Sequence, residues 1–184
     1  MKRIFDLVLA TMALLLISPL LLLTAAAIRL DSPGPIFFRQ QRVGRHGKPF
    51  GILKFRSMVT NAAKLGSYMT ADNDPRITRA GRFIRRTSLD ELPQLLNVLY
   101  GDMSLVGPRP DVPEQKDNYT EQEWTIRHSV RPGITGLAQA TLRSAATPEQ
   151  RKEMDLRYAQ TASLAQDLRI ILMTVKQVLT KGGN

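Results

Sequence analysis

Cysteine is absent from the 184 residues, histidine occurs only as His46 and His128, and tryptophan only as Trp124. The first absence excludes a disulfide framework, a thiolate zinc site and a cysteine nucleophile. Two imidazoles are too few for an ordinary zinc enzyme. Acid is scarce as well: 16 Asp+Glu against 26 Lys+Arg leave a formal charge of +10, and the length suits about one domain. Charge of either sign is missing in one place, because none occurs between Asp6 and Arg29.

That gap, Leu7 to Ile28, is 22 residues long. At a helical rise of roughly 1.5 Å it extends about 33 Å, enough to cross the hydrocarbon core of a bilayer. Ser18-Pro19 sits near its middle, where the proline removes a backbone donor and leaves the Leu15 carbonyl without its partner. A bend is expected there, with the Ser18 hydroxyl as a substitute partner. Lys2 and Arg3 precede the segment while Arg29, Arg39, Arg42 and Arg45 follow it, so both flanks prefer the cytoplasm. A re-entrant helix satisfies both. A spanning helix with a tolerated kink and a cleaved signal peptide with Ala25-Ala26-Ala27 at its cleavage site are the alternatives.

From Arg29 to Thr60 there are seven Lys/Arg against the single acid Asp31, interleaved with Phe37, Phe38, Phe50 and Phe55. Beside an anchor this reads as attraction to anionic headgroups, at about 1 kcal/mol per cation. The turns at Pro33-Gly34-Pro35 and Gly44 to Gly47 predict a small hairpin. Arg76, Arg79, Arg82, Arg85 and Arg86 then recur at helical steps, and Thr87 to Leu99 reads as a helix with its acids at the start. Ser88 and Glu91 fit a capping box, which would account for the acids structurally. Alternatively, Asp90 and Glu91, next to five arginines and at the positive end of a helix dipole, form a place for phosphate and a divalent cation.

Gly101 to Pro110 and Arg131 to Gly136 read as stiff loops that hold Arg109 and Arg131. Asp111 to Glu123 reads as an acidic, solvent-facing helix. From Thr147 a single long helix is expected, with Thr147 and Gln150 as its capping box and Gly182-Gly183 as its stop. Its apolar face, Leu164, Leu168, Ile171, Leu172, Val175 and Leu179, belongs either to the core or to a membrane surface.

Taken together, Lys2 to Asp6, the apolar segment with Ser18-Pro19, Lys54 to Met58, Ser88 to Leu95, Gly101 to Pro110 and Arg131 to Gln139 resemble the bacterial sugar transferase family. The likeness is to its monotopic phosphoglycosyl transferases, in the minimal form that is little more than the catalytic domain. The resemblance implies transfer of a sugar-1-phosphate from a UDP-sugar to undecaprenyl phosphate with release of UMP, at the cytoplasmic face of the bacterial inner membrane and with Mg²⁺. It implies Asp90 as the nucleophile of a covalent aspartyl-phosphosugar intermediate and Glu91 as its magnesium-binding partner, both within reach of the cation. It implies Lys54, Arg56, Arg85, Arg109, Arg131, Arg143 and Asp155 as substrate-binding groups. At Thr141 to Ala145 the sequence departs from the Asn-Gly-Arg-Asn run of many relatives, which bears on Arg143 and on the sugar. The expected fold is α/β, mostly α: a re-entrant anchor over residues 1–30 and a catalytic domain over 31–184, with a hairpin and amphipathic interfacial helices. A membrane-anchored basic module that binds anionic lipid without chemistry is the competing reading. No nucleic-acid motif is visible, and a homodimer stays open.

Overall fold

The computed structural model describes residues 1–66, 74–142 and 147–181. It opens with helix α1 (Lys2–Asp31). Strands β1 (Phe37–Val43) and β2 (Pro49–Phe55) follow, then helices α2 (Ala62–Leu65), α3 (Arg79–Arg86) and α4 (Gln94–Tyr100). Strand β3 (Ser104–Val106), helix α5 (Glu121–Arg127), strand β4 (Gly133–Thr135) and helices α6 (Leu137–Leu142), α7 (Pro148–Thr161) and α8 (Leu164–Lys181) complete it. The result is a mostly helical α/β fold with two small sheets.

Among the described residues, α1 is the one helix long and apolar enough to cross a membrane. It continues through Pro19 for 30 residues. Ser18 Oγ donates a 2.9 Å hydrogen bond to the Leu15 carbonyl oxygen, the acceptor that a proline at position 19 deprives of its amide. Asp6, Ala10, Ala13, Ile17, Leu21, Thr24 and Ile28 recur at three- to four-residue steps and face the protein. Ala10 packs with Phe50 and Ile52 of β2 and with Leu95 and Val98 of α4. Ile28 packs with Phe55 and Ile84.

Both ends of α1 are tied to the same body. Lys2 pairs with the buried Asp167 of α8, and Arg3 donates to the Leu99 carbonyl at 3.0 Å. Asp6 accepts from Ser104 Oγ at 2.8 Å and from Leu105 N at 3.2 Å. At the far end, Asp31 accepts from Ala80 N at 3.0 Å. The outer face carries Met12, Leu15, Leu16, Leu22 and Leu23, with Leu16 81% exposed. At about 1.5–3 kcal/mol for each leucine left in water, that stripe is costly to leave uncovered, which suits association with a membrane.

The chain's lack of cysteine makes this testable with single-cysteine variants. Ile4→Cys and Lys48→Cys are both at exposed positions, one in the first turn of α1 and one beyond its end. Both are expected to react with a membrane-impermeant maleimide from the same side of the bilayer. Labelling from opposite sides would mean that α1 spans.

The hairpin forms as predicted: β1 and β2 are antiparallel, with Phe37 opposite Phe55 and Val43 opposite Pro49. The two stiff loops do more than turn. Their strands β3 and β4 pair in parallel, Ser104 with Gly133 and Val106 with Thr135. Gly107 and Gly133 approach so closely that a Cβ on either would collide with the other's backbone.

Three local expectations are corrected. The acidic stretch is a 3₁₀ turn over Pro113–Asn118 followed by α5, which Thr120 and Glu123 cap reciprocally. The C-terminal helix is two helices: Thr147 and Gln150 cap α7 as expected, but the chain breaks after Thr161, and Ser163 Oγ accepts from Gln166 N at 3.3 Å to start α8. Of the apolar face of α8, Ile171 packs against the core beside Ile170, whereas Leu168, Leu172 and Val175 are exposed, so the face divides between core and surface. Gly182-Gly183 and the side chain of Leu179 lie outside the described residues.

Candidate active site

Asp90 and Glu91 occupy a 3₁₀ turn, Leu89–Glu91, and not a helix N-terminus, because α4 begins only after Pro93. The expected capping box is absent. Ser88 takes a left-handed backbone (φ 57°, ψ 16°) and caps nothing with its side chain, a strained conformation for a residue with a Cβ. The turn it makes frees the Glu91 carboxylate to point at cations.

Those cations are Lys54 of β2 and Arg109, each 2.8 Å from the same oxygen, Glu91 Oε1. Burial alone would raise the Glu91 pKa, but the charges of Arg109 and Lys54, and their hydrogen bonds, overcome it and hold the pKa at about 2. The neighbouring Asp90 is different. Burial raises its pKa above the ordinary value, aided by Glu91 and opposed by Lys54 and Arg85. Among the described residues Asp90 makes no ion pair. Two adjacent carboxylates thus have distinct characters: one locked between cations, one free to engage a ligand.

Arg85 and Arg109 line the open cleft that contains both acids. The same cleft is bordered by Leu9, Met12 and Leu16 of α1, so its charged wall is continuous with the apolar helix. The five arginines do not converge as a set: Arg79 and Arg82 are exposed away from the cleft, whereas Arg76, Arg85 and Arg86 border it.

Other residues singled out in the sequence lie elsewhere or are engaged otherwise. Arg56 is buried, and its guanidinium donates to the carbonyls of Ser32, Pro33 and Pro35 at 2.8, 2.9 and 2.7 Å. It fastens the turn after α1, whose carbonyls have no helical partner. Arg131 donates to the Gly101 carbonyl at 2.8 Å, away from the acids. Arg143 lies outside the described residues. Asp155 is fully buried in α7, 2.8 Å from Arg127.

Arg127 is the residue that sequence reasoning missed. It pairs with Asp155 and Asp111, and its Nη2 also donates to the Arg109 carbonyl at 2.7 Å. Arg42 holds the next carbonyl, that of Pro110, at 3.0 Å. The loop that aims Arg109 at Glu91 is therefore clamped from behind by two arginines. Position 127 gave one faint signal, since it ends a helix that Thr120 and Glu123 announce as a capping box.

As for a metal, no third His, Cys, Asp or Glu joins the two acids among the described residues, and Glu91 Oε1 is already held by Lys54 and Arg109. A Mg²⁺ site ordinarily takes only one or two carboxylates, with phosphate oxygens and water completing the shell.

The chain matches the family model described as bacterial sugar transferase over residues 1–181. It is 47% identical over 182 residues to the UDP-glucose:undecaprenyl-phosphate glucose-1-phosphate transferase of Escherichia coli K12, covering 95% of this chain and 39% of that protein. A Caulobacter vibrioides protein of the same description is 48% identical over 186 residues, covering 97% of this chain and 70% of that one. The UDP-N-acetylgalactosamine-undecaprenyl-phosphate N-acetylgalactosaminephosphotransferase of Aeromonas hydrophila is 43% identical over 187 residues, covering 99% and 44%. The chain thus spans less than half the length of two of these relatives.

Proposed function

The chain belongs to the bacterial sugar transferase family, and from that premise we propose that it moves a sugar-1-phosphate from a UDP-sugar to undecaprenyl phosphate at the cytoplasmic membrane face. The observation that carries this reading is the single cleft in which Asp90, Glu91, Lys54, Arg85 and Arg109 meet the apolar flank of α1. A polyprenyl phosphate needs both walls, one for its charge and one for its tail. A module that merely binds anionic lipid needs no buried carboxylates among its cations, and each would repel the headgroup.

In the first step an Asp90 oxygen attacks the phosphorus that bears the sugar. The bond from that phosphorus to the bridging oxygen breaks, and UMP departs with the electron pair. The phosphosugar remains on Asp90 as an acyl phosphate. An oxygen of undecaprenyl phosphate then attacks the same phosphorus, the aspartyl bond breaks, and the carboxylate is restored. Arg85 and Arg109 neutralise charge on the phosphoryl oxygens, and Lys54 holds Glu91 in its ionised form. Asp90 and Glu91 would hold Mg²⁺, which supplies further charge neutralisation at the diphosphate.

The two ends of α1, fastened to one body, support an anchor that enters and leaves by the same leaflet. That arrangement brings a lipid-borne phosphate and a soluble nucleotide to one plane. The test is nucleoside monophosphate release from a panel of UDP-sugars in detergent, with and without undecaprenyl phosphate and Mg²⁺. Release is expected from at least one donor and is expected to vanish with EDTA. No release from any donor, with lipid binding that fades steeply with salt, would leave the binding module.

A further inference from the structure

We infer that Gln139 of α6 recognises an amide or imide group of the donor, a carbonyl beside an N–H. The inference deepens the transferase reading and rests on it. Oε1 and Nε2 of Gln139 are both buried, and neither has a hydrogen-bond partner. Buried amide atoms are almost always paired, and leaving both ends of one amide unmet is costly. Three other polar side chains that line the same cleft are already engaged. Thr135 and Thr174 share a 2.8 Å hydrogen bond, and Gln177 donates Nε2 to the Ala140 carbonyl at 2.7 Å.

The placement connects Gln139 to the reacting groups. It borders the same cleft as Asp90 and Glu91. Gly107 N donates to the Thr135 carbonyl at 2.9 Å, and a side chain at Gly136 would run into both the Gly107 carbonyl and Gln139 Oε1. Two residues beyond Gly107, Arg109 reaches Glu91 at 2.8 Å. Gln139 is thus one strand step from the phosphate-facing loop, where the remainder of a nucleotide sugar must lie once its diphosphate meets the arginines. A carboxamide offers one acceptor and two N–H donors. Two parts of a UDP-sugar complement it: the imide edge of uracil and, in an acetamido sugar, the N-acetyl group.

The experiment uses the full chain in detergent, with Gln139→Leu and Gln139→Glu, and measures KM and kcat for UDP-glucose and UDP-N-acetylglucosamine. It also measures inhibition by UMP and by N3-methyl-UMP, which lacks the imide N–H. If uracil is read, Gln139→Leu raises KM for every accepted donor roughly tenfold with kcat little changed. UMP inhibition weakens by the same factor, and the parent but not the variant prefers UMP to its methylated form. If the acetamido group is read, only KM for the acetamido donor rises and UMP inhibition is unchanged. Values within twofold of the parent for all donors and for UMP, in variants whose thermal midpoint is unaltered, overturn the assignment. Gln139→Glu keeps the shape and serves where the leucine lowers that midpoint. A parent chain that releases no UMP from any donor overturns the transferase reading itself, a result separate from turnover that ignores position 139.

Discussion

Asp90→Asn is expected to reduce transfer by at least about a thousandfold while leaving the fold intact. Asparagine has the same shape but no charge, and its amide is a very poor nucleophile toward phosphorus. Because burial already disfavours the Asp90 charge and no ion pair holds it, its removal costs the folded state nothing of consequence. The thermal midpoint should therefore stay the same or rise slightly. Glu91→Gln is the instructive contrast, for it breaks the charge balance with Lys54 and Arg109, both 2.8 Å away, and should lower activity and stability together. Intact mass of the parent after donor alone should show one phosphosugar adduct that Asp90→Asn lacks. A variant within tenfold of the parent, or a strictly ternary rate law with no adduct, would remove Asp90 from the role of nucleophile and leave both acids as metal ligands for direct attack.

The parts of this protein legible in its sequence are those set by local rules. The hairpin follows from turn residues flanking short apolar runs, and the start of α7 from the reciprocal bonds of Thr147 and Gln150. The length and apolar character of α1 are composition alone. Asp90-Glu91 drew attention through charge pattern, yet the same pattern suggested a capping box that the left-handed Ser88 prevents. What stayed hidden depends on groups far apart in the chain. Arg56 stands in a basic stretch that looks substrate-facing, but the turn it fastens lies 21 to 24 residues earlier. The break between α7 and α8 carried a readable mark, Ser163 three residues before Gln166, which the continuing apolar period obscured. The capping box of Thr120 and Glu123 marked the helix that Arg127 ends, but it did not tell this arginine from the exposed ones, since burial of a charge is decided by which acids fold against it.

That burial makes Arg127 the position where substitution should cost most stability. Arg127→Met leaves Asp111 and Asp155 facing each other, both buried and with their shared cation gone. Breaking a buried pair from one side typically costs about 3–5 kcal/mol, which for a chain of this size lowers the thermal midpoint by roughly 10 °C. The sign of the pH effect follows from the carboxylates. Burial already raises the Asp111 pKa to about 6 and that of Asp155 above its ordinary value, with Arg127 opposing both shifts. Without the arginine both pKa values rise further above those of the unfolded chain, so the folded state takes up protons. The variant is therefore least impaired near pH 4 to 5 and loses stability as pH rises through the raised values. A deficit that grew toward acid would contradict this. Adding Asp111→Asn and Asp155→Asn removes the repulsion and should recover most of the midpoint, because neutral groups need no cation. Activity should not recover with it. The 2.7 Å bond from Arg127 to the Arg109 carbonyl is still missing, and the guanidinium proposed to meet the phosphate has lost half of its clamp. A triple variant that regained both midpoint and full turnover would show that Arg42, bonded to Pro110 at 3.0 Å, aims the loop unaided.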